Sequence, residues 1–216
     1  MKQEETRLKK EIAELMRQAK AVNKEEADYM KDPTAPEIKP IEPQPVTVNP
    51  QTTALLVLEL SEYLEDPEYF AAPLVPGVTS LLDRARSAGL LIAFTVPHVF
   101  KGTPQGQVYS GFKRRACEAV FYPVAFDKFG GGQLQSLLSL FNISTLIITG
   151  CKANMAVMIT ATRAVTEFNY DIVIPVDGLA ATTDYEKDYT LYEFRAYPAG
   201  YPKRFTFTTL DMINFK

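Results

Sequence analysis

Beyond residue 52, the hydrophobic positions follow two patterns that alternate along the chain. Nearly continuous apolar runs such as TALLVLEL indicate strands that are buried on both faces of a sheet. Segments whose apolar residues lie three and four positions apart indicate helices that cover such a sheet. Strands are predicted over residues 53–60, 90–97, 144–150, 170–178 and 203–210, with an extended segment over 118–129. Helices are predicted over residues 75–89, 130–142, 154–169 and 184–197.

This alternation with short connections predicts an α/β fold. The expected architecture is a three-layer α/β/α arrangement with a mainly parallel central sheet of about six strands. Ligands of such sheets bind beyond the carboxyl ends of the strands. Polar residues that follow a predicted strand are therefore the first candidates for a functional site.

The first 31 residues have a different pattern, which predicts an amphipathic helix. They are rich in Glu, Lys, Ala and Gln, which are good helix formers. A short apolar stripe is formed by Leu8, Ile12, Leu15, Ala19 and Val22. The stripe spans about two heptads, which is too short for a free-standing coiled coil. We expect it to be buried against the domain, a second subunit or another protein partner, and we expect a homo-oligomer.

Residues 32–51 predict a stiff linker or a strap along the surface. Six of the fifteen prolines of the chain lie in this segment, and proline removes backbone donors and favours extended conformations. The predicted organisation is thus a helix over residues 1–31, a proline-rich segment over 32–51 and one domain over 52–216.

Composition narrows the classes of function. The 216 residues are 46% hydrophobic, enough for one substantial core. The net charge of −3 excludes a strongly basic surface of the kind that binds nucleic acid. No apolar run approaches the ~18 residues of a membrane helix. Two cysteines do not form a disulfide framework, and the charged N-terminus does not resemble a signal peptide. A cytoplasmic location is therefore expected, with no nucleic acid or membrane as partner.

Three candidate positions lie at strand ends. Glu59 closes the first buried strand, where an unpaired carboxylate would be costly. Lys128 lies in the segment FDKFGGG, at the end of the extended segment. The turn from Cys151 to Ala156 opens a helix, whose first N–H groups suit an anion or oxyanion.

The segments TALLVLELSEYL, FDKFGGGQLQSLL and TLIITGCKANMAVMITATRA, in this order and spacing, resemble the isochorismatase-like hydrolase superfamily. The resemblance covers about Thr52 to Thr209. It implies a site with a strand-end Asp, a Lys, and a Cys six residues after the TG strand end that attacks a carbonyl or amide carbon. It also implies a non-proline cis peptide after the TG turn, expected here at Lys152–Ala153.

This sequence departs from the family pattern at two of those three positions. Glu59 replaces the Asp and Ala156 replaces the Cys, while Lys128 is retained. The resemblance therefore implies Glu59 and Lys128 as catalytic residues, with Lys128 holding a substrate carboxylate or developing negative charge. It implies a substrate-binding turn composed of Lys152, Ala153, Met155 and Ala156. The N–H groups of Met155 and Ala156 are expected to face the pocket.

Metal chemistry and a relocated thiol are both disfavoured. The nicotinamidase branch of the family holds a metal with Asp and more than one His, whereas His98 is the single histidine of this chain. No metal and no cofactor are expected. Cys151 lies at the turn itself, five residues before Ala156, and is expected to be a small buried thiol.

Two functions follow from these residues. The first is a thiol-independent hydrolysis of a small carboxylated or amide substrate, as in family members that lack the Cys and use the strand-end carboxylate. The alternative is a pseudoenzyme that serves as a binding or assembly module. A third interpretation, that Ala156 was introduced in place of a catalytic Cys, is disfavoured because Glu59 departs from the family as well.

Overall fold

The computed structural model describes Lys10, residues 41–197 and residues 201–216. Apart from Lys10, the predicted N-terminal helix with its apolar stripe and residues 32–40 lie outside this part of the chain. Residues Ile41–Lys216 form one compact unit. Among the described residues, no helix is both long enough and apolar enough to span a membrane.

The main sheet of this unit has seven strands, all of them parallel. Its strands are β2 (Thr53–Leu58), β3 (Leu91–Thr95), β4 (Ala119–Phe121), β5 (Thr145–Cys151), β6 (Asp171–Pro175), β7 (Leu179–Ala180) and β8 (Phe205–Thr208). The order across the sheet is β4-β3-β2-β5-β6-β8, and β7 pairs with the end of β5. The predicted α/β fold with a mainly parallel sheet is confirmed, with seven strands instead of about six.

Four helices connect and cover the strands. They are α1 (Val75–Ser87), α2 (Gln133–Leu140), α3 (Met158–Thr166) and α4 (Asp184–Ala196). Helix α1 has a proline in its first turn, where a missing N–H costs nothing, and buries its apolar stripe. Helix α4 begins with a capping box, in which the side chains of Thr183 and Glu186 each accept a hydrogen bond from the other's backbone N–H.

The central strand β2 divides the core into two halves. Its residues Ala54, Leu56 and Leu58 pack on one face with side chains of α2, α3 and α4. Leu55 and Val57 point to the other face, where α1 lies. Each strand residue of β2 is fully buried, which explains why its sequence is continuously apolar and not alternating.

Most elements are one to a few residues shorter than predicted, and for two of them the cause is local. Only three residues of the extended segment 118–129 form a strand, because a proline follows at position 123 and Asp127 then accepts a hydrogen bond from the N–H of Phe129 in a local turn. Helix α2 begins at Gln133 and not at residue 130. Gly131 and Gly132 have φ angles of 85° and 76°, which are left-handed and incompatible with an α-helix.

A second, two-stranded parallel sheet joins the two ends of the compact unit. Strand β1 (Val46–Val48) pairs with β9 (Ile213–Phe215). The end of the proline-rich segment is therefore held by hydrogen bonds to the C-terminal strand. The boundary at residue 52 and the strap assigned to residues 32–51 stay predictions.

A buried ion pair fastens the edge of the main sheet to α1. The guanidinium of Arg86 donates to both carboxylate oxygens of Glu118, at 2.7 and 3.0 Å, and the N–H of Arg115 donates to the same carboxylate. Burial opposes ionisation of Glu118, but the hydrogen bonds from Arg86 and Arg115 outweigh it and lower the pKa of this carboxyl below 4.5.

We predict that this ion pair makes stability depend on pH. A carboxyl whose folded-state pKa is lowered contributes its full stabilisation above its unfolded pKa and loses it as the pH falls through the folded value. Glu118→Gln should therefore cost about 3 kcal/mol near pH 7, and the difference from wild type should shrink below pH 4.5. Urea unfolding of both proteins as a function of pH measures this, and a difference that stays constant down to pH 3 contradicts it.

Candidate functional site

Glu59 directly follows strand β2 and has an unusual backbone conformation. Its φ angle is 57°, in the left-handed region that residues other than glycine seldom adopt. Its N–H donates to the oxygen of Thr95 at the end of β3, at 2.9 Å. Such a conformation costs about 1–3 kcal/mol and persists only where surrounding contacts hold it. The side chain is thereby directed away from the regular course of the strand.

Lys128 is held against Glu59 by the loop that precedes α2. Its N–H donates to Oγ1 of Thr160 on α3, at 3.2 Å. Its Nζ donates to Oε1 of Glu59 and lies 3.4 Å from the carbonyl oxygen of Ala125. The Lys128 side chain is only 1% exposed and that of Glu59 is 15% exposed. The structure thus brings together the two residues that the sequence assigned to catalysis, as a largely buried ion pair.

The turn after β5 differs from the expectation in two respects. The non-proline cis peptide lies at Cys151–Lys152 and not at Lys152–Ala153, because β5 continues through Cys151 and the chain turns immediately afterwards. A π-helical turn, Ala153–Val157, then leads into α3. The N–H of Met155 donates to the oxygen of Lys152 at 3.1 Å, so it is not the free donor that was expected to face the pocket.

A cavity of about 170 Å³ lies beside Glu59. Of the other predicted site residues, Lys152 and Met155 line it. Lys128 lies behind Glu59 and is not part of the lining. Ala153 begins the π-helical turn and Ala156 lies within it. Both are fully buried, and neither lines the cavity.

Four aromatic rings, from Tyr63, Tyr69, Phe100 and Phe126, form much of the remaining wall. Tyr63 and Tyr69 are stacked with ring centroids 5.6 Å apart, and Phe100 meets Tyr63 edge-on at 5.5 Å. No sequence motif marked these residues as part of a site. They lie in loops and short 3₁₀ turns that follow the strands, and the only signal was the density of aromatic residues directly after Glu59 and after β3.

The sequence of residues 53–201 matches the family model of the isochorismatase domain. The chain belongs to the isochorismatase domain family. No curated protein matches the chain.

Solved structures of isochorismatase-family proteins share this fold. An isochorismatase family protein from Desulfovibrio vulgaris is 22% identical with a TM-score of 0.66, covering 74% of this chain and 95% of its own. A cysteine hydrolase from Pseudomonas syringae is 17% identical with a TM-score of 0.66. The match covers 81% of this chain and 95% of the hydrolase. N-carbamoylsarcosine amidase from Thermoplasma acidophilum is 22% identical with a TM-score of 0.62. The match covers 74% of this chain and 97% of the amidase.

Cys151 is the thiol of this isochorismatase domain that lies nearest the ion pair. It is buried, lines the cavity, and its Sγ donates to the carbonyl oxygen of Glu59 at 3.3 Å. Burial, followed by the negative charge of Glu59, raises the pKa of the thiol to about 12. Because the thiolate is the nucleophilic form, a thiol with this pKa is a poor nucleophile near neutral pH. Burial and the neighbouring Cys151 also raise the pKa of Tyr69.

We predict that the two cysteines differ strongly in reactivity. Cys117 is exposed, whereas Cys151 is buried with a raised pKa. Titration of the native protein with a coloured disulfide reagent at about pH 8 should detect one thiol rapidly, and the second only after unfolding. Cys117→Ser should abolish the fast phase. A fast phase that survives this substitution would show that Cys151 is reactive.

His98 lies at the end of β3 but outside the cavity. It is exposed, and its Nδ1 is 3.2 Å from the carbonyl oxygen of Tyr122. Within residues 41–197 and 201–216, no three His, Cys, Asp or Glu side chains come together in a group that could hold a metal ion.

Proposed function

We propose that this protein is a thiol-independent hydrolase that acts on a small carboxylated or amide substrate. The observation that carries the proposal is the Glu59–Lys128 ion pair, which is retained at the cavity although the nucleophile position holds Ala156. An alanine offers no reactive group, and the neighbouring thiol of Cys151 is protonated near neutral pH. The reacting nucleophile is therefore a water molecule.

Glu59 is suited to act on that water. An ionised carboxylate can take a proton from water, and the hydrogen bond from Lys128 holds the Glu59 carboxylate in one orientation. For an amide substrate, the water oxygen bonds to the carbonyl carbon while one of its protons passes to Glu59. The C–N bond then breaks, and Glu59 returns the proton to the leaving nitrogen. The carboxylate is regenerated, so no covalent enzyme intermediate forms.

The structural relatives support an amide among the substrates to be tested, since one of them is an N-carbamoylsarcosine amidase. Its likeness to this chain concerns the fold. The substrates to screen with the purified full chain are therefore isochorismate and small amides, including N-carbamoylsarcosine.

We predict that hydrolysis of the substrate found in this screen depends on Glu59. Glu59→Gln should lower kcat at least ~100-fold, because the amide cannot take a proton from water. Glu68→Gln removes an exposed carboxylate of the same region and should leave the rate unchanged. Steady-state kinetics of the three proteins provides the comparison. Equal rates for wild type and Glu59→Gln would overturn the assigned role.

A second function, ligand binding without catalysis, is favoured by a different observation. The N–H of Met155 is engaged by Lys152, and Ala156 is fully buried, so the usual place for an oxyanion at the start of this helix is partly closed. Under this alternative, the chain binds small molecules in the cavity but turns over none of the screened substrates.

A further inference from the structure

We propose that the cavity accepts a ligand with a single flat ring and one anionic group, and that Lys152 binds the anion. The proposal deepens the proposed function, on which it rests for the identity of the site, by naming the chemical class of its substrate. The charges that face the cavity, the rings of its wall and its volume support this ligand class.

The charges at the cavity leave Lys152 as the cation that is available to a ligand. Glu59 and Lys128 neutralise each other in their ion pair. Among the described residues, no carboxylate oxygen lies within 4.0 Å of the Lys152 ammonium group. Its Nζ lies 5.6 Å from the ring centroid of Phe70, a contact that leaves its hydrogen-bond donors free for an acceptor.

A further acidic group, Glu186, does not form an ion pair with Lys152. Glu186, at the start of α4, attracts Lys152 electrostatically, yet its two oxygens accept hydrogen bonds from the N–H of Thr183 and from Nδ2 of Asn154. Glu186 does not line the cavity. With the ion pair neutral, the described residues of the lining thus present one uncompensated positive charge, which favours an anionic ligand.

Lys128 is poorly placed for the role of anion binder that the sequence suggested. Its side chain is 1% exposed, its ammonium group contacts Glu59 and Ala125, and it does not line the cavity. A ligand carboxylate would have to displace Glu59 to reach it. Lys152, which lies in the lining itself, meets no such competition.

The wall and the volume define the rest of the ligand. Tyr63, Tyr69, Phe100 and Phe126 present ring faces and edges that pack well on another flat ring. The volume of about 170 Å³ is below the roughly 300–1,000 Å³ of pockets for drug-sized molecules. The cavity therefore suits one ring with a short anionic substituent.

Binding of benzoate and benzamide, measured by titration calorimetry, tests this assignment. The two probes share size and ring and differ in charge. We expect the full chain to bind benzoate more tightly than benzamide, and Lys152→Met to weaken benzoate binding at least ~10-fold while benzamide binding stays unchanged. The matched control Lys203→Met removes an exposed cation that does not line the cavity and should leave both affinities unchanged.

Benzamide binding as tightly as benzoate would overturn the inference, and so would benzoate binding that is insensitive to Lys152→Met. Absence of benzoate binding at millimolar concentration would overturn it as well. The proposed hydrolysis fails separately. If benzoate binds through Lys152 but no substrate is turned over, the ligand class stands and the catalytic role of Glu59 does not. If a neutral amide is hydrolysed with no contribution from Lys152, the proposed hydrolysis stands and the anionic ligand class does not.

Discussion

Replacing Gly150 by alanine is expected to leave the chain unable to maintain a stable fold. Gly150 has a φ angle of 127°, a conformation that residues with a Cβ atom rarely adopt. An added Cβ would lie 2.0 Å from the carbonyl oxygen of Leu58 and 2.8 Å from its carbonyl carbon. Leu58 belongs to the central strand β2, whose backbone is fixed by two neighbouring strands. Relief of the clash requires the strands to separate, so we expect a loss of more than about 4 kcal/mol.

Thermal unfolding followed by circular dichroism measures this loss, and Gly89→Ala is the matched control. Gly89 also has a positive φ, 76°, but a Cβ added there would meet nothing within 4 Å. The control should cost only about 1–2 kcal/mol, the price of the left-handed conformation. If both variants unfolded at similar temperatures, the close approach of β5 to β2 would not be a requirement of the fold.

This close approach also positions the candidate site. It brings the end of β5 next to the end of β2, so that the Cys151 thiol reaches the carbonyl oxygen of Glu59. The glycine of the TG strand end is thus explained by the contact between two strands.

The second large effect is expected from breaking the Glu59–Lys128 ion pair. Lys128→Met keeps the aliphatic stem but leaves a largely buried carboxylate without its cation. Removing one partner of such a pair should lower the free energy of unfolding by about 3 kcal/mol. Adding Glu59→Gln removes the unpaired carboxylate charge and should recover part of the lost free energy of unfolding.

A double-mutant cycle in urea measures the coupling between the two residues. We expect about 2 kcal/mol, with the double variant more stable than Lys128→Met alone. Strictly additive effects of the two substitutions would mean that the ion pair contributes nothing to stability, and that Lys128 acts only through its packing.

The elements that the sequence predicted well are those whose signal is local. Strand β2 is apolar at every position because both of its faces are buried, and helix α1 buries the stripe that its spacing indicated. Glu59 and Lys128 were identified because each interrupts or follows an apolar segment, and because they occupy the positions of the family's Asp and Lys, of which only the Lys is retained. Their pairing required only that parallel strands end at one edge of the sheet.

The features that were missed depend on contacts between distant segments. Strand β1 lies in a proline-rich segment that appears as a linker, and it forms only because β9 pairs with it more than 160 residues later along the chain. The aromatic wall is assembled from loops after β2, β3 and β4, which have no periodic pattern. The cis peptide was placed one residue too late, since the motif locates the turn but not the residue at which β5 ends.

The central claim, that hydrolysis proceeds without a thiol, is tested most directly by turnover in a cysteine-free chain. The protein has two cysteines, and the variant Cys117→Ser/Cys151→Ser contains none. We predict that it hydrolyses the substrate of the wild-type protein within about tenfold of the wild-type rate, and that adding Glu59→Gln lowers this rate at least ~100-fold. An active wild-type protein whose cysteine-free variant is inactive, or a rate that survives Glu59→Gln, would contradict the account.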